Sequence, residues 1–309
     1  MKRILLTVAL LATAFTAPAQ TQTAEQYAKR YETLVSRVGS SGLGVETLLD
    51  KWEADFPEDL DMLQARFLYC FDKSQRVEMV SRSQSRFLGQ QPTLALKDSL
   101  GNDVNYYQET FYDDEMFGEG IRYIERAIQL APDRLDLRFN KVAALVGYEK
   151  ESPDMALSDL KSLIDYNASQ KPKWVYPGIT VDKEYFDAAI QEYCFVFFRY
   201  ATPRCYDAFR DLSLKMLDYD PNNVLYLDNV GSYFLVAQHD NKTALKYYNK
   251  VLKIKKDDIT AIRNCVLLAR NSKDVKLEKK YLPMLAQYGE TETDKAAAKA
   301  RLDYLNGKK

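Results

Sequence analysis

Histidine is nearly missing from the 309 residues: His239 is the only one. A single imidazole excludes HExxH and multi-histidine zinc motifs, which need two or three. Within Gln238-His239-Asp240-Asn241 it is expected in a solvated turn; Asp240 could orient it as a base, but the sequence places no nucleophile beside it. Cysteine is scarce too, with four residues and no CxxC spacing, which removes the common zinc and redox arrangements. Cys194 and Cys205 should flank one interhelical turn and form the pair nearest to a disulfide in an oxidising compartment. Yet Cys194 sits in Tyr193-Cys194-Phe195-Val196-Phe197-Phe198 and Cys265 beside Val266-Leu267-Leu268, where thiols act as small buried hydrophobes. Cys70, Cys194, Cys205 and Cys265 are therefore expected as free thiols.

Neither sign of charge is in excess: 43 Lys and Arg against 44 Asp and Glu give a net charge of -1. Nucleic acid binding loses its usual electrostatic footprint. Gly39 to Gly44 reads Gly-Ser-Ser-Gly-Leu-Gly, but no GKS or GKT follows and the preceding segment is helical, so a linker is expected rather than a phosphate loop. Asp113-Asp114 and Asp257-Asp258 fall at expected helix starts, where they complement the helix dipole. The paired acids of a glycosidase are spaced in three dimensions, so sequence does not reveal them, and nothing here favours a hydrolase. No catalytic residue, cofactor or metal is assigned. Past residue 19 no apolar run approaches the roughly 20 residues of a membrane span.

The N-terminus is distinctive. Lys2 and Arg3 precede an uncharged apolar stretch from Ile4 to Phe15, then Ala17-Pro18-Ala19. That is the layout of a cleavable export signal, with cleavage after Ala19 and a mature chain in the periplasm or outside the cell. No Cys follows to carry a lipid, and the loss of Lys2 and Arg3 leaves 41 basic against 44 acidic side chains, a charge of -3. With 22 Tyr and 14 Phe the chain is rich in rings, expected mainly between helices.

Periodicity is helical nearly throughout. Ile121, Ile124, Ala127, Ile128 and Ala131 recur at three- and four-residue steps, as do Leu227, Val230, Gly231 and Phe234. Ser152-Pro153 and Thr202-Pro203 each offer a hydroxyl N-cap followed by Pro at the first helical position. Similarity recurs at about 34 residues. Leu227, Val230, Gly231 and Phe234 have the spacing of a first helix, and Gly120, Ile124, Ala127 and Pro132 that of a second, with small residues where two backbones approach. Weaker copies are Val45, Leu49, Trp52 and Pro57; Ala244, Tyr248 and Val251, with Lys256 at the Pro position; and Ala156, Leu160 and Leu163, with Ala168 there. Asp220-Pro221-Asn222-Asn223 closes a further unit in which Phe209 replaces the small residue.

On these residues the chain resembles the tetratricopeptide repeat family over roughly Tyr27 to Tyr288. The resemblance implies an all-α fold, a right-handed superhelical array of antiparallel helix pairs spanning residues 20–309. Pro57 and Pro132 lie 75 residues apart, one unit plus an excess of 41, which falls at residues 73–115. There Thr93 to Ser99, Gly101-Asn102-Asp103 and Val104 to Tyr107 alternate like two strands around a turn, so a β-hairpin inserted into the helical array is expected. This stretch, with Tyr112 to Glu115 and Pro132 to Phe139, is also similar to a group of exported tetratricopeptide proteins of Gram-negative anaerobes. A second excess, at residues 167–183, surrounds Lys173-Trp174-Val175-Tyr176-Pro177-Gly178, and residues 290–306 are expected to cap the last apolar face.

The family lines its concave surface with first-helix residues. The sixth position after each unit's close gives Asn140, Asn229 and Asn264, with Arg263 beside the last, as candidates for holding a protein or peptide partner. A chaperone-style carboxylate clamp is not expected: Phe139 and Asp228 stand at the fifth position, Ala143 and Ser232 at the ninth. Trp174 and Tyr176 are exposed-loop candidates for a peptide or a sugar. The expectation is a non-catalytic scaffold or adaptor of the cell envelope; the alternative is a glycan- or nutrient-capturing accessory protein of the outer membrane.

Overall fold

The computed structural model describes residues 22–307. The expected signal peptide, residues 1–19, lies outside the described residues. Among those residues thirteen helices and three strands follow in order: α1 (Ala24–Val38), α2 (Val45–Asp55), α3 (Leu60–Ser74), β1 (Gln75–Arg82), β2 (Leu94–Lys97), β3 (Asp103–Tyr112), α4 (Asp114–Leu130), α5 (Leu135–Glu149), α6 (Asp154–Gln170), α7 (Lys183–Tyr200), α8 (Pro203–Tyr219), α9 (Val224–Val236), α10 (Asn241–Ile254), α11 (Ile259–Asn271), α12 (Val275–Tyr288) and α13 (Glu292–Leu305). Consecutive helices pack as antiparallel pairs, from α1 with α2 to α11 with α12, and α13 closes on α12. No helix among the described residues is long and apolar enough to cross a membrane.

Short polar side chains start these helices. Thr23, Asp59, Asp113, Asp182, Thr202, Asn223, Asp240, Asp258, Asp274 and Thr291 each accept a backbone N–H of the first turn. Such caps satisfy donors that the helix itself leaves orphaned, at about 1 kcal/mol apiece. Thr202-Pro203 behaves as the sequence indicates, with Pro203 at the first helical position. Ser152-Pro153 does not: Pro153 itself is the cap residue, and the Ser152 hydroxyl donates to Asp154 at 2.9 Å. The orphaned donors go instead to Glu149, whose carboxylate accepts Met155 N–H at 2.6 Å and Ala156 N–H at 2.9 Å. A side chain from the preceding helix has replaced the local cap.

Apolar stripes face inward at the positions that the repeat spacing selects. Val45, Leu49 and Trp52, Ala156, Leu160 and Leu163, and Ala244, Tyr248 and Val251 are all 2 % exposed or less. Gly120 lets α4 lie against α3: a Cβ placed there would be 3.1 Å from Cys70 Cβ and 3.4 Å from the Phe67 carbonyl oxygen. The core divides at α9, which turns Tyr226 and Tyr233 toward one cluster reaching back to Tyr27, and Leu227 and Leu235 toward another reaching Ala298. Each fully buried ring or leucine contributes roughly 1.5–3 kcal/mol of transfer free energy. In α13, Ala298 is buried and Leu302 and Leu305 pack on the second cluster, closing the C-terminal end.

The insertion lies between the two helices of one pair, α3 and α4, and is larger than a hairpin. The expected strands are there, β2 and β3, pairing Leu94 with Tyr106 and Leu96 with Val104. A third strand, β1, pairs antiparallel along β3 from Gln75–Tyr112 to Arg82–Asn105, giving the order β1-β3-β2. β1 continues from α3 with no Gly or Pro between, so nothing in the sequence punctuates the change of period. One face of the sheet packs down. Arg82 forks Glu109 at 2.6 and 2.9 Å and lies over Phe87, and Tyr107 donates to the Gln84 carbonyl at 2.8 Å. The other face carries Val77, Met79, Leu94 and Leu96, all exposed.

All four cysteines are buried and free. Cys194 faces the Ser213 hydroxyl at 3.7 Å, while Cys205 points at the Lys150 and Glu151 carbonyls, each 3.5 Å away. The two thiols that flank the turn thus face different neighbours, and burial pushes both pKa values up.

Candidate protein-binding face

The first helices of the pairs present the candidate side chains. Asn229 is 8 % exposed on α9, and its amide is engaged by two other helices. It donates to Gln191 Oε1 on α7 at 2.7 Å and to Ser213 Oγ on α8 at 3.2 Å, and accepts from Gln191 Nε2 at 3.3 Å. Asn140 on α5 and Asn264 on α11 are half-buried. Arg263 pairs with Glu290 and Asp294 at 2.9 Å each, tying α11 to the start of α13; those bonds hold its pKa above the ordinary arginine value.

Exposed apolar side chains share these helix faces, and their sequence context gives no warning of it. Leu225 stands one turn before Asn229 and Val236 two turns after it; Leu267 lies three residues beyond Asn264, and Phe195 one turn beyond Gln191. Phe195 is 53 % exposed and Leu267 47 %. Phe195 belongs to an unbroken apolar run, in which every member reads as core.

Trp174 and Tyr176 are half-buried rather than exposed. Val175 fastens their loop by exchanging backbone hydrogen bonds with Asp133 (2.9 Å) and Leu135 (3.0 Å). Trp174 then stacks on Phe186 with 6.1 Å between centroids, donates its indole N–H to Asn167 at 2.9 Å, and lies beneath Arg138. Tyr176 meets the Tyr185 ring edge-on at 6.0 Å. Both rings fill the gap between α6 and α7, and little indole surface is left for a sugar to stack on.

Behind the face, Asp228 is 6 % exposed and Asp258 7 %. Asp258 caps α11, accepting Ala261 N–H at 3.1 Å, and pairs with Lys255 at 3.2 Å. Burial, and next to it the Asp258 carboxyl, push Asp228 up to about 8, so it is protonated at neutral pH. A protonated acid beside an aspartate resembles a catalytic dyad. It is enclosed between α9 and α11, however, and His239 is exposed in the α9–α10 turn. No group of three or more metal-ligating side chains is present among the described residues.

Paired helices at tetratricopeptide spacing, with glycine at the close approaches, define a tetratricopeptide-like array. No family profile and no curated protein matches the chain. Similar solved structures include one described as a functional characterisation of PilF from Pseudomonas aeruginosa, 10% identical, covering 92% of this chain and 84% of that one with a TM-score of 0.30. Another is YrrB, described as a tetratricopeptide protein with an unusual peptide-binding site, 14% identical, covering 78% and 91% with a TM-score of 0.34. The repeat assignment rests on this chain's own helix pairs.

Proposed function

We propose that this protein is an exported, non-catalytic scaffold that binds a segment of a partner protein along the first-helix face of its array. The observation that carries the reading is the row of exposed apolar side chains, Phe195, Leu225, Val236 and Leu267, set beside the half-buried amides of Asn140 and Asn264. Apolar anchors supply most of the energy of such contacts, while amides can bond an extended backbone and set its register. Asn229 supports the face from beneath. Export rests on the sequence of residues 1–19, and a role in the cell envelope follows from it.

The test is capture from the cell envelope with the tagged protein, comparing wild type with the double variant Phe195→Asp, Leu267→Asp. Both residues are exposed, so the variant should keep its melting temperature while losing its partner. A partner retained by the folded variant would move the binding site off this face.

A further inference from the structure

The two ends of the array differ. At the C-terminal end α13 covers the last pair, whereas at the N-terminal end the outer side of α1 and α2 has no helix against it among the described residues. What lies there is an open groove of about 1190 Å³. Four cations converge on it, Lys29, Arg30 and Arg37 from α1 and Lys51 from α2, and no carboxylate lines it. None of the four is in an ion pair with a described residue, although ion pairs occur along the rest of the chain. Residues 1–21 contain no Asp or Glu. Between the cations Leu34 and Leu48 make an apolar floor, Leu34 half-buried and Leu48 7 % exposed.

We infer that this groove docks an acidic amphipathic helix of a partner protein. The shape calls for a helix because a helix is what closes the array at its other end, where α13 packs on α12. The chemistry calls for acid. Arg30 and Arg37 are seven residues apart on α1, about 10 Å along the axis, which matches carboxylates two turns apart on a helix lying alongside. Lys51 stands across the groove to meet a carboxylate on the opposite flank, and the partner's apolar stripe would rest on Leu34 and Leu48. Recognition of this kind combines helix-in-groove packing with charge complementarity. The site is separate from the α5–α11 face, so the chain could hold two partners, or two segments of one.

The probe is a fluorescein-labelled 18-residue designed helix with a leucine stripe flanked by glutamates, compared with versions carrying Gln or Lys for Glu. Anisotropy with the full chain should show saturable binding of the Glu helix, weakened at least about tenfold by Glu→Gln and by raising salt from about 50 to about 300 mM. Arg30→Glu with Lys51→Glu should abolish it while leaving the circular dichroism melt unchanged, since both residues are solvent-facing. Phe195→Asp with Leu267→Asp should leave it intact, which separates failure here from failure of the scaffold reading. Binding insensitive to charge reversal or salt would overturn the inference. So would an absence of peptide binding combined with tight, reversal-sensitive binding of a heparin fragment, which would assign the groove to polyanionic sugars.

Discussion

Gly231 and Tyr248 are in contact across the α9–α10 pair: a Cβ on Gly231 would come within 2.6 Å of the Tyr248 ring carbon Cε1. Tyr248 is fully buried and its hydroxyl lies 3.3 Å from that of Ser232, so the ring has no room to retreat. Gly231→Ala should therefore destabilise the chain by about 1–3 kcal/mol through overpacking, and Gly231→Leu by more. Urea unfolding would show it as a lower midpoint. An unchanged midpoint would mean that the pair is not this tightly packed.

A second expectation concerns pH. Asp228, pushed up to about 8 in the folded chain, has an ordinary carboxyl pKa of about 3.9 when unfolded. Between those values the folded state holds a proton that the unfolded state has lost. Stability from this group therefore falls as pH rises from about 4 to about 8, by at most about 1.4 kcal/mol per unit. Asp228→Asn keeps a donor toward Asp258 without the titration. Its melting temperature should exceed that of wild type at pH 8.5 and approach it at pH 5.5; parallel profiles for the two proteins would refute the protonated pair.

Glu278 makes the opposite case. It is 2 % exposed and accepts from Arg301 of α13 at 3.0 and 3.1 Å and from Arg270 of α11 at 2.8 Å. Those bonds, Arg301's first, hold its pKa below the usual glutamate value. Its contribution is complete above about pH 4.3 and is lost as pH falls through the depressed folded value. Glu278→Gln should cost roughly 1–3 kcal/mol at pH 7, and hydrogen exchange should quicken first in α13, which it fastens.

Asn229→Ala should act on stability as well as on binding. It strands the Gln191 amide in a half-buried place and removes a bond to Ser213, a loss of about 1–2 kcal/mol. Asn140→Ala and Asn264→Ala, whose amides are bonded to no described residue, should stay within about 0.5 kcal/mol of wild type by thermal melts.

Much of this architecture is legible in the sequence because repeat spacing is a packing constraint. Gly120 and Gly231 mark close approaches, Pro57 and Pro132 follow helix ends, and Ala298 marks a capping helix. Legibility fails where local signals compete. Glu149 caps α6 from the preceding helix, which no local pattern encodes. β1 follows α3 without a breaker, and Phe195 is exposed within a run that is apolar throughout. The candidate face is partly readable for the same reason. Repeat position finds the asparagines but not their bonding, so Asn229 on α9 and Asn264 on α11 look equivalent until Gln191 and Ser213 are seen around one of them. Trp174 shows the converse, a ring in a Pro- and Gly-bearing loop that Val175 draws inward by backbone pairing.

The sheet between α3 and α4 bears on the order in which the chain acquires its structure. Thirty-nine residues separate Ser74 from Asp114, whereas four separate Val236 from Asn241. Bringing the ends of the longer connection together costs about 2 kcal/mol more in chain entropy. The α3–α4 pair therefore has the largest barrier to nucleation, and the array should close there after the pairs whose helices are joined by short connections, such as α7–α8 and α9–α10. The first pair, whose helices are separated by only six residues and which meets the rest of the array at α3, would be joined to the C-terminal pairs only once the α3–α4 connection has closed.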